Sequence, residues 1–136
     1  MNTGRILIVD DNPTNLKLVS DVLECEGHAI FKAKDAEEAQ SFIAGNALDL
    51  ILMDIALPGM DGLTLTRRLK SDVQTRDIMV VAVTAFAMKG DQEKAYAAGC
   101  DGYISKPIDT RKLPGQVAEM LARRSSKPEK STRVSS

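Results

Sequence analysis

The chain has no tryptophan, and aromatic residues make up only 4% of its 136 residues. Its core therefore has to be assembled from Leu, Ile, Val, Ala and Met. Cysteine is scarce as well: Cys25 and Cys100 stand far apart and fit neither a metal nor a redox spacing. They read as buried small hydrophobes in a reducing, cytoplasmic protein. The single histidine, His28, precedes an apolar run and reads as structural, which leaves the chain without a phosphohistidine donor of its own. No apolar run approaches the roughly 20 residues needed to span a bilayer, and Met1 to Arg5 lack the apolar region of a signal peptide. A net charge of −1 gives no global attraction to nucleic acid or to a membrane surface. Neither G-x-x-x-x-G-K-[ST] nor G-x-G-x-x-G occurs, so the common phosphate-cradling loops of nucleotide binders are missing.

What is present is ordinary in amount and regular in order. Hydrophobic residues at 43% and charged residues at 27% suit one globular domain with a genuine core. Short β-branched runs alternate with helical patterns. The strands predicted are Arg5 to Val9, Ala29 to Ala33, Leu48 to Met53, Met79 to Val83 and Gly102 to Ser105. Between them, Asn12 caps a helix with Pro13 at its first position, and Leu16, Val19, Val22 and Leu23 form its inward stripe up to a stop at Gly27. Asp35 and Glu38 form a capping pair before Ala39, Phe42 and Ile43. Leu63 to Leu69 is a short third helix, Lys89 to Ala98 an alanine-rich fourth, and Arg111 to Arg124 the last. Residues 1–124 thus read as one domain and residues 125–136 as a disordered polar tail. Five strands alternating with five helices imply an α/β, doubly wound parallel sheet covered on both faces. Ligands of such sheets bind at the carboxyl ends of the strands, near the topological switch point.

The residues at those ends carry chemistry. The first strand ends in Asp10-Asp11, the third in Asp54, the fourth in Thr84 and the fifth in Lys106-Pro107. Any one Asp fits a turn after a strand, but three carboxylates brought to one edge repel unless they hold protons or recruit a cation. A hard divalent ion, Mg²⁺ or Mn²⁺, suits oxygen ligands and keeps positions open for an oxyanion. Lys106 supplies a point charge suited to a phosphoryl oxygen or to Asp54, and Pro107 restricts it to an extended backbone. Thr84 adds a hydroxyl at the same rim.

Val9-Asp10-Asp11, Met53-Asp54-Ile55, Pro58-Gly59-Met60-Asp61-Gly62, Val83-Thr84-Ala85 and Ser105-Lys106-Pro107 together resemble a response-regulator receiver domain over about residues 5 to 124. The segments "VVAVTAFAMKGD" and "GYISKPI" are similar to those of DivK-type single-domain regulators and of the receivers of hybrid histidine kinases. The resemblance implies a flavodoxin-like sheet of order 2-1-3-4-5. It implies that Asp54 accepts a phosphoryl group from a histidine kinase or histidine phosphotransfer protein. Asp10, Asp11, Asp54 and the backbone carbonyl of Ala56 would then bind the metal, with Thr84 and Lys106 on the phosphoryl oxygens. Thr84 and Tyr103 would form the switch, Tyr103 moving from an exposed to a buried position. The fourth helix, fifth strand and fifth helix would present the face for a downstream protein, in a monomer or a weak phosphorylation-dependent dimer. The Lys106-Pro107 bond is a candidate for the cis form.

On this reading the protein is a regulatory phosphoacceptor and not an enzyme. Small Asp-nucleophile phosphatases generally place a second acid two residues after the nucleophile, where this chain has Ala56. Met1 and the short leader favour an autonomous protein; a receiver excised from a hybrid kinase is the alternative. The polar residues after 124 read as neither a DNA-binding helix-turn-helix nor an enzymatic output domain, so the expected output is through protein contacts. A small residue at 56, where family members often carry a bulkier or polar one, leaves a phosphoryl group open to attacking water. The acyl phosphate is therefore expected to live for less time in the wild type than in Ala56→Met or Ala56→Gln, as followed by loss of label from purified phosphoprotein; equal lifetimes would reject the idea.

Overall fold

The computed structural model of the chain describes residues 3–55, 62–85 and 89–125. Ten elements alternate along it: β1 (Arg5–Val9), α1 (Pro13–Cys25), β2 (Ala29–Ala33), α2 (Ala36–Gly45), β3 (Leu50–Asp54), α3 (Gly62–Ser71), β4 (Met79–Thr84), α4 (Lys89–Ala97), β5 (Gly102–Ser105) and α5 (Leu113–Ser125). The strands form one parallel sheet in the order β2-β1-β3-β4-β5, as the pattern of elements and the resemblance implied. The order reverses between β1 and β3, which is where the acids emerge.

Strand alternation sorts the core into two layers. Ile6 and Ile8, Leu50 and Leu52, and Met79, Val81 and Val83 pack with α1 and α5, through Val19, Leu23, Leu113 and Val117. Leu7 and Val9, Ile51 and Met53, and Val80 and Ala82 pack on the other side with Ala36, Ala39, Leu65 and Ala95 of α2, α3 and α4. β3 is buried at all five positions and β4 at all six, which is why they read as unbroken apolar runs.

Local chemistry explains the boundaries. The Asn12 side chain accepts hydrogen bonds from the backbone N–H groups of Thr14 and Asn15, with Pro13 following it. Asp35 accepts from the Glu38 N–H at 2.8 Å, while Glu38 reaches back one residue beyond the cap, to the Lys34 N–H. Gly27 closes α1 at φ +94°, a conformation that favours glycine. Three differences from the sequence reading have local causes. β3 starts at Leu50, after a bend at Asp49, whose side chain accepts the Arg5 N–H at 2.8 Å while its own N–H donates to Arg5 O. It also extends to Asp54, so the carboxylate is a member of the strand itself. α5 starts at Leu113, because the Asp109 side chain accepts the Arg111 N–H in a preceding turn, and it runs to Ser125. Cys100 is buried as expected, but Cys25 is exposed, since it falls outside the Val19–Leu23 stripe of α1. Residues 126–136, the greater part of the expected tail, lie outside the described residues.

His28 is buried, and its Nδ1 accepts the Gly4 N–H at 3.1 Å. Burial pushes its imidazole below the ordinary range, with Glu26 only partly opposing. The folded state thus binds fewer protons than the unfolded chain near the usual His pKa of about 6.5, so this contribution to stability is full above that pH and falls as pH drops through it. Urea midpoints should therefore decline more between pH 7.5 and 5.5 for the wild type than for His28→Gln; parallel declines would contradict the assignment.

Candidate functional site

The backbone ladder continues one residue past the strand ends and fixes the site. Asp10 N–H donates to Ala33 O at 3.0 Å, Ile55 N–H to Val83 O at 3.2 Å, and Lys106 N–H to Thr84 O at 2.8 Å. The side chains are thereby delivered to one edge with little backbone freedom. Alternation also assigns them to faces. Asp54 follows Leu50 and Leu52, and Asp10 follows Ile6 and Ile8, so both lie on the α1/α5 side of the sheet edge. Thr84 and Tyr103 have the opposite parity, and Tyr103, half-buried, packs against the core layer of α2, α3 and α4.

Lys106 Nζ sits 3.1 Å from Asp54 Oδ2 and 3.2 Å from Asp10 Oδ2. Asp10 and Asp54 are buried, and only 17% of the Lys106 side chain is exposed. Burial pulls the Lys106 ammonium down, but hydrogen bonds and charge attraction from Asp54 and Asp10 outweigh it and hold it above its ordinary value. Asp10 Oδ1 accepts the Asn12 N–H at 2.9 Å, and Asn15 Nδ2 stands 3.5 Å from Asp10 Oδ2. Asp11 is exposed and turned to the same space: ligand oxygens of Asp10, Asp11 and Asp54 all lie within 4.8 Å of one another. Thr84 is buried at the end of β4, and the Lys106-Pro107 bond is cis. Ala56 and its carbonyl lie outside the described residues.

Three carboxylates face one ammonium, an excess of two negative charges in a largely buried place. Oxygen donors, compact spacing and excess negative charge together fit a hard divalent cation such as Mg²⁺. A hollow of about 320 Å³ opens beside Lys106, between Asn15, Val19 and Ile108. A larger hollow, about 750 Å³, lies between α2 and α3 at the opposite edge and contains none of these acids.

The sequence reading did not single out Asn15, and it quoted Gly62 only as part of a motif, with no role of its own. Asn15 stands one turn into α1 on the side facing Asp10, a position that the spacing from the Asn12 cap would have revealed. Gly62 opens α3 where a Cβ would come within 2.8 Å of Asp54 O and Ile55 Cα and 2.9 Å of Met53 Cγ. Only a residue without a side chain lets α3 seat against the strand that carries Asp54.

Residues 6–118 match the family model described as response regulator receiver domain. The polar-differentiation response regulator DivK of Brucella ovis is 47% identical over 106 residues, 78% of this chain and 86% of that protein. A CheY-like receiver domain protein from Methanospirillum hungatei has a similar structure at 31% identity, with a TM-score of 0.85 over 92% of this chain and 98% of its own. The receiver domain of sensor histidine kinase PA1611 from Pseudomonas aeruginosa, solved with a magnesium ion coordinated in the active site cleft, is similar at 30% identity. Its TM-score is 0.80 over 88% of this chain and 98% of its own.

A methyl group at position 62 has to displace backbone, whereas nothing lies within 4 Å of one added at Gly45. Gly62→Ala should cost about 1–3 kcal/mol by overpacking, and Gly45→Ala should be neutral or slightly stabilising. Urea unfolding of the two variants checks this, and equal effects would remove the packing role given to Gly62.

Proposed function

The chain belongs to the response-regulator receiver family, and from that premise we propose that it is a phosphoacceptor in a two-component phosphorelay, with Asp54 as the accepting residue. One observation carries the reading: a buried carboxylate at the end of the central strand β3, held 3.1 Å from Lys106 in a cluster with two further acids. Phosphoryl transfer requires positioning and charge neutralisation more than covalent work by neighbouring groups. The site is built from those two elements.

In the proposed step an oxygen of Asp54 attacks the phosphorus of a phosphohistidine on a kinase or phosphotransfer protein. The P–N bond breaks, its electron pair stays on the imidazole nitrogen, and that nitrogen later takes a proton. Lys106 releases part of its hold on Asp54 and pairs with the new phosphoryl oxygens, while its contact with Asp10 keeps it in place. Thr84 donates its hydroxyl to another of those oxygens. Asp10, Asp11 and Asp54 are the residues that would hold Mg²⁺, which when bound neutralises charge on the transferring group. Asn12 and Asn15 orient Asp10 for that task.

The output is a change of partner. A phosphoryl group adds about −1.5 to −2 charge, Thr84 moves towards it, and Tyr103 takes up the space on the α4 side of the sheet. The face of α4, β5 and α5 is then read by a downstream protein. We assign no catalytic turnover on a separate substrate, since position 56 offers no acid/base. Two free cysteines agree with a cytoplasmic setting, and no helix among the described residues is long and apolar enough to cross a membrane. A second reading, a receiver within a hybrid kinase, is favoured by the likeness to the PA1611 receiver; the mass of the native polypeptide separates the two.

Labelled acetyl phosphate or a phosphorylated donor, supplied with and without Mg²⁺ to wild type and Asp54→Asn, tests the central step. Label should appear on the wild type only with the metal and fall to background in Asp54→Asn. Persistent labelling of the variant, or metal-independent labelling of the wild type, would defeat the assignment.

A further inference from the structure

α4 meets the rest of the fold chiefly through its last turn. Among its described side chains, Gln92, Glu93, Lys94 and Tyr96 are exposed, whereas Ala95 and, just past the helix end, Ala98 are buried. The helix closes in a Schellman arrangement around Gly99 at φ +109°: Cys100 N–H donates to Ala95 O and Gly99 N–H to Tyr96 O, each at 3.0 Å.

Beneath that closure lies a polar cluster at the amino ends of β4 and β5, the edge opposite Asp54. The Lys70 ammonium, at the end of α3, has three hydrogens and three acceptors: Asp101 Oδ2 at 2.7 Å, Ile78 O at 2.7 Å and Arg76 O at 3.0 Å. Asp101 Oδ2 also accepts the Val80 N–H at 3.0 Å, and the Asp101 N–H donates to Val80 O at 2.7 Å. From α5, Arg123 donates to Asp101 O at 2.8 Å. The lysine stem passes directly under Gly99, where a Cβ would come within 2.8 Å of Lys70 Cγ. One ion pair, with 18% and 19% of its side chains exposed, therefore joins α3, the turn into β4, β4 itself, the α4–β5 connection and α5.

From this arrangement we infer that Lys70 and Asp101 form the fulcrum about which α4 tilts when Asp54 is phosphorylated. The inference rests on the reading of Asp54 as phosphoacceptor. Along β4, Val80, which Asp101 holds, and Val83, which lies opposite Asp54, are three residues apart, about 10 Å at strand rise, and β4 lies between the strands that carry the two groups. The pair holds because every Lys70 ammonium hydrogen has an acceptor and Asp101 is engaged through its side chain, its N–H and its carbonyl. Motion goes to whatever is least well anchored, and that is the exposed amino-terminal half of α4, next to the Thr84 end of β4. Pinned at Gly99–Asp101, with the described side chains of its first turns exposed, the helix swings and does not slide. Tyr96 on α4 and Tyr103 on β5 consequently change their relative angle on the partner-facing surface while the start of β5 stays fixed. Lys70 and Asp101 are positioning residues in this scheme, since neither touches the phosphoryl site.

Residue-resolved amide exchange on the full chain, unmodified and saturated with beryllium fluoride and Mg²⁺ as a phosphoryl mimic, tests the fulcrum. In the wild type, exchange should change about tenfold at residues 90–95 and less than about twofold at Cys100 to Gly102. Lys70→Met keeps the stem under Gly99 and removes the ammonium; it should raise exchange at Cys100 and Asp101 before any ligand is added and spread the ligand-induced change to residues 98–102. Asp101→Asn should do the same from the other partner. Beryllium fluoride affinity should stay within about twofold in both variants, as expected for residues outside the ligand site. Changes of equal size at the two ends of α4 in the wild type, or variants that exchange as the wild type does, overturn the fulcrum alone. A wild type that fails to bind beryllium fluoride overturns the phosphoacceptor reading and the fulcrum with it.

Discussion

The contact on which this molecule depends is that of Lys106 with Asp10 and Asp54. Two buried carboxylates at the carboxyl edge of a parallel sheet would repel each other and lose hydration. The ammonium between them, at 3.2 and 3.1 Å, makes the arrangement tolerable. As a source of stability such a triad is poor, because the desolvation of buried ions can equal what their attraction returns. Its value lies in being incomplete. With Asp11 included, the acids outnumber the ammonium by two charges, an imbalance that a hard divalent cation would offset.

The sheet is what holds this imbalance in place. Asp54 is the last residue of a strand buried on both faces, and the residues after β1, β3 and β5 are each fastened to the neighbouring strand by a backbone hydrogen bond. Gly62 then allows α3 to close directly behind Asp54. Rigid delivery on one side contrasts with slender packing on the other: among the described side chains of α4, Ala95 is the one that is buried, with Ala98 just past the helix end. In the proposed switch, a change of charge at a rigid site is in this way passed to an element that gives.

Much of this was legible in the residues because parallel strands buried on both faces leave a plain record. LILMD and MVVAVT admit little besides central strands, and the sum of short runs and capped helices implied the doubly wound sheet with its acids at one edge. Asn12, Pro13, Asp35 and Gly27 marked helix ends through backbone chemistry that operates locally. What stayed hidden depends on contacts between distant segments. The exposure of Cys25 follows from which side of α1 faces the sheet, and Cys is apolar enough to mislead. The start of α5 depends on Asp109 turning its carboxylate back on the chain. The joint role of Lys70 and Asp101 involves residues that individually look like solvated charges. Nothing in either neighbourhood announces a partner 31 positions away.

The two ion-paired clusters divide the labour of the fold by their degree of satisfaction. At the upper edge Lys106 serves two carboxylates in a cluster of three, so in the proposed phosphorylation step its hydrogen bonds can be redistributed to the new oxyanion. At the lower edge Lys70 has an acceptor for every hydrogen, and Asp101 is engaged through its side chain, its N–H and its carbonyl. Burial raises the cost of breaking either cluster, but only the upper one has an alternative set of partners to move to. A switch needs both kinds of contact: one whose partners can be exchanged, and one that stays fixed so that the exchange produces a defined movement. In the switch proposed for this chain the same two residue types, a lysine and an aspartate, supply both, and their neighbours decide which is which.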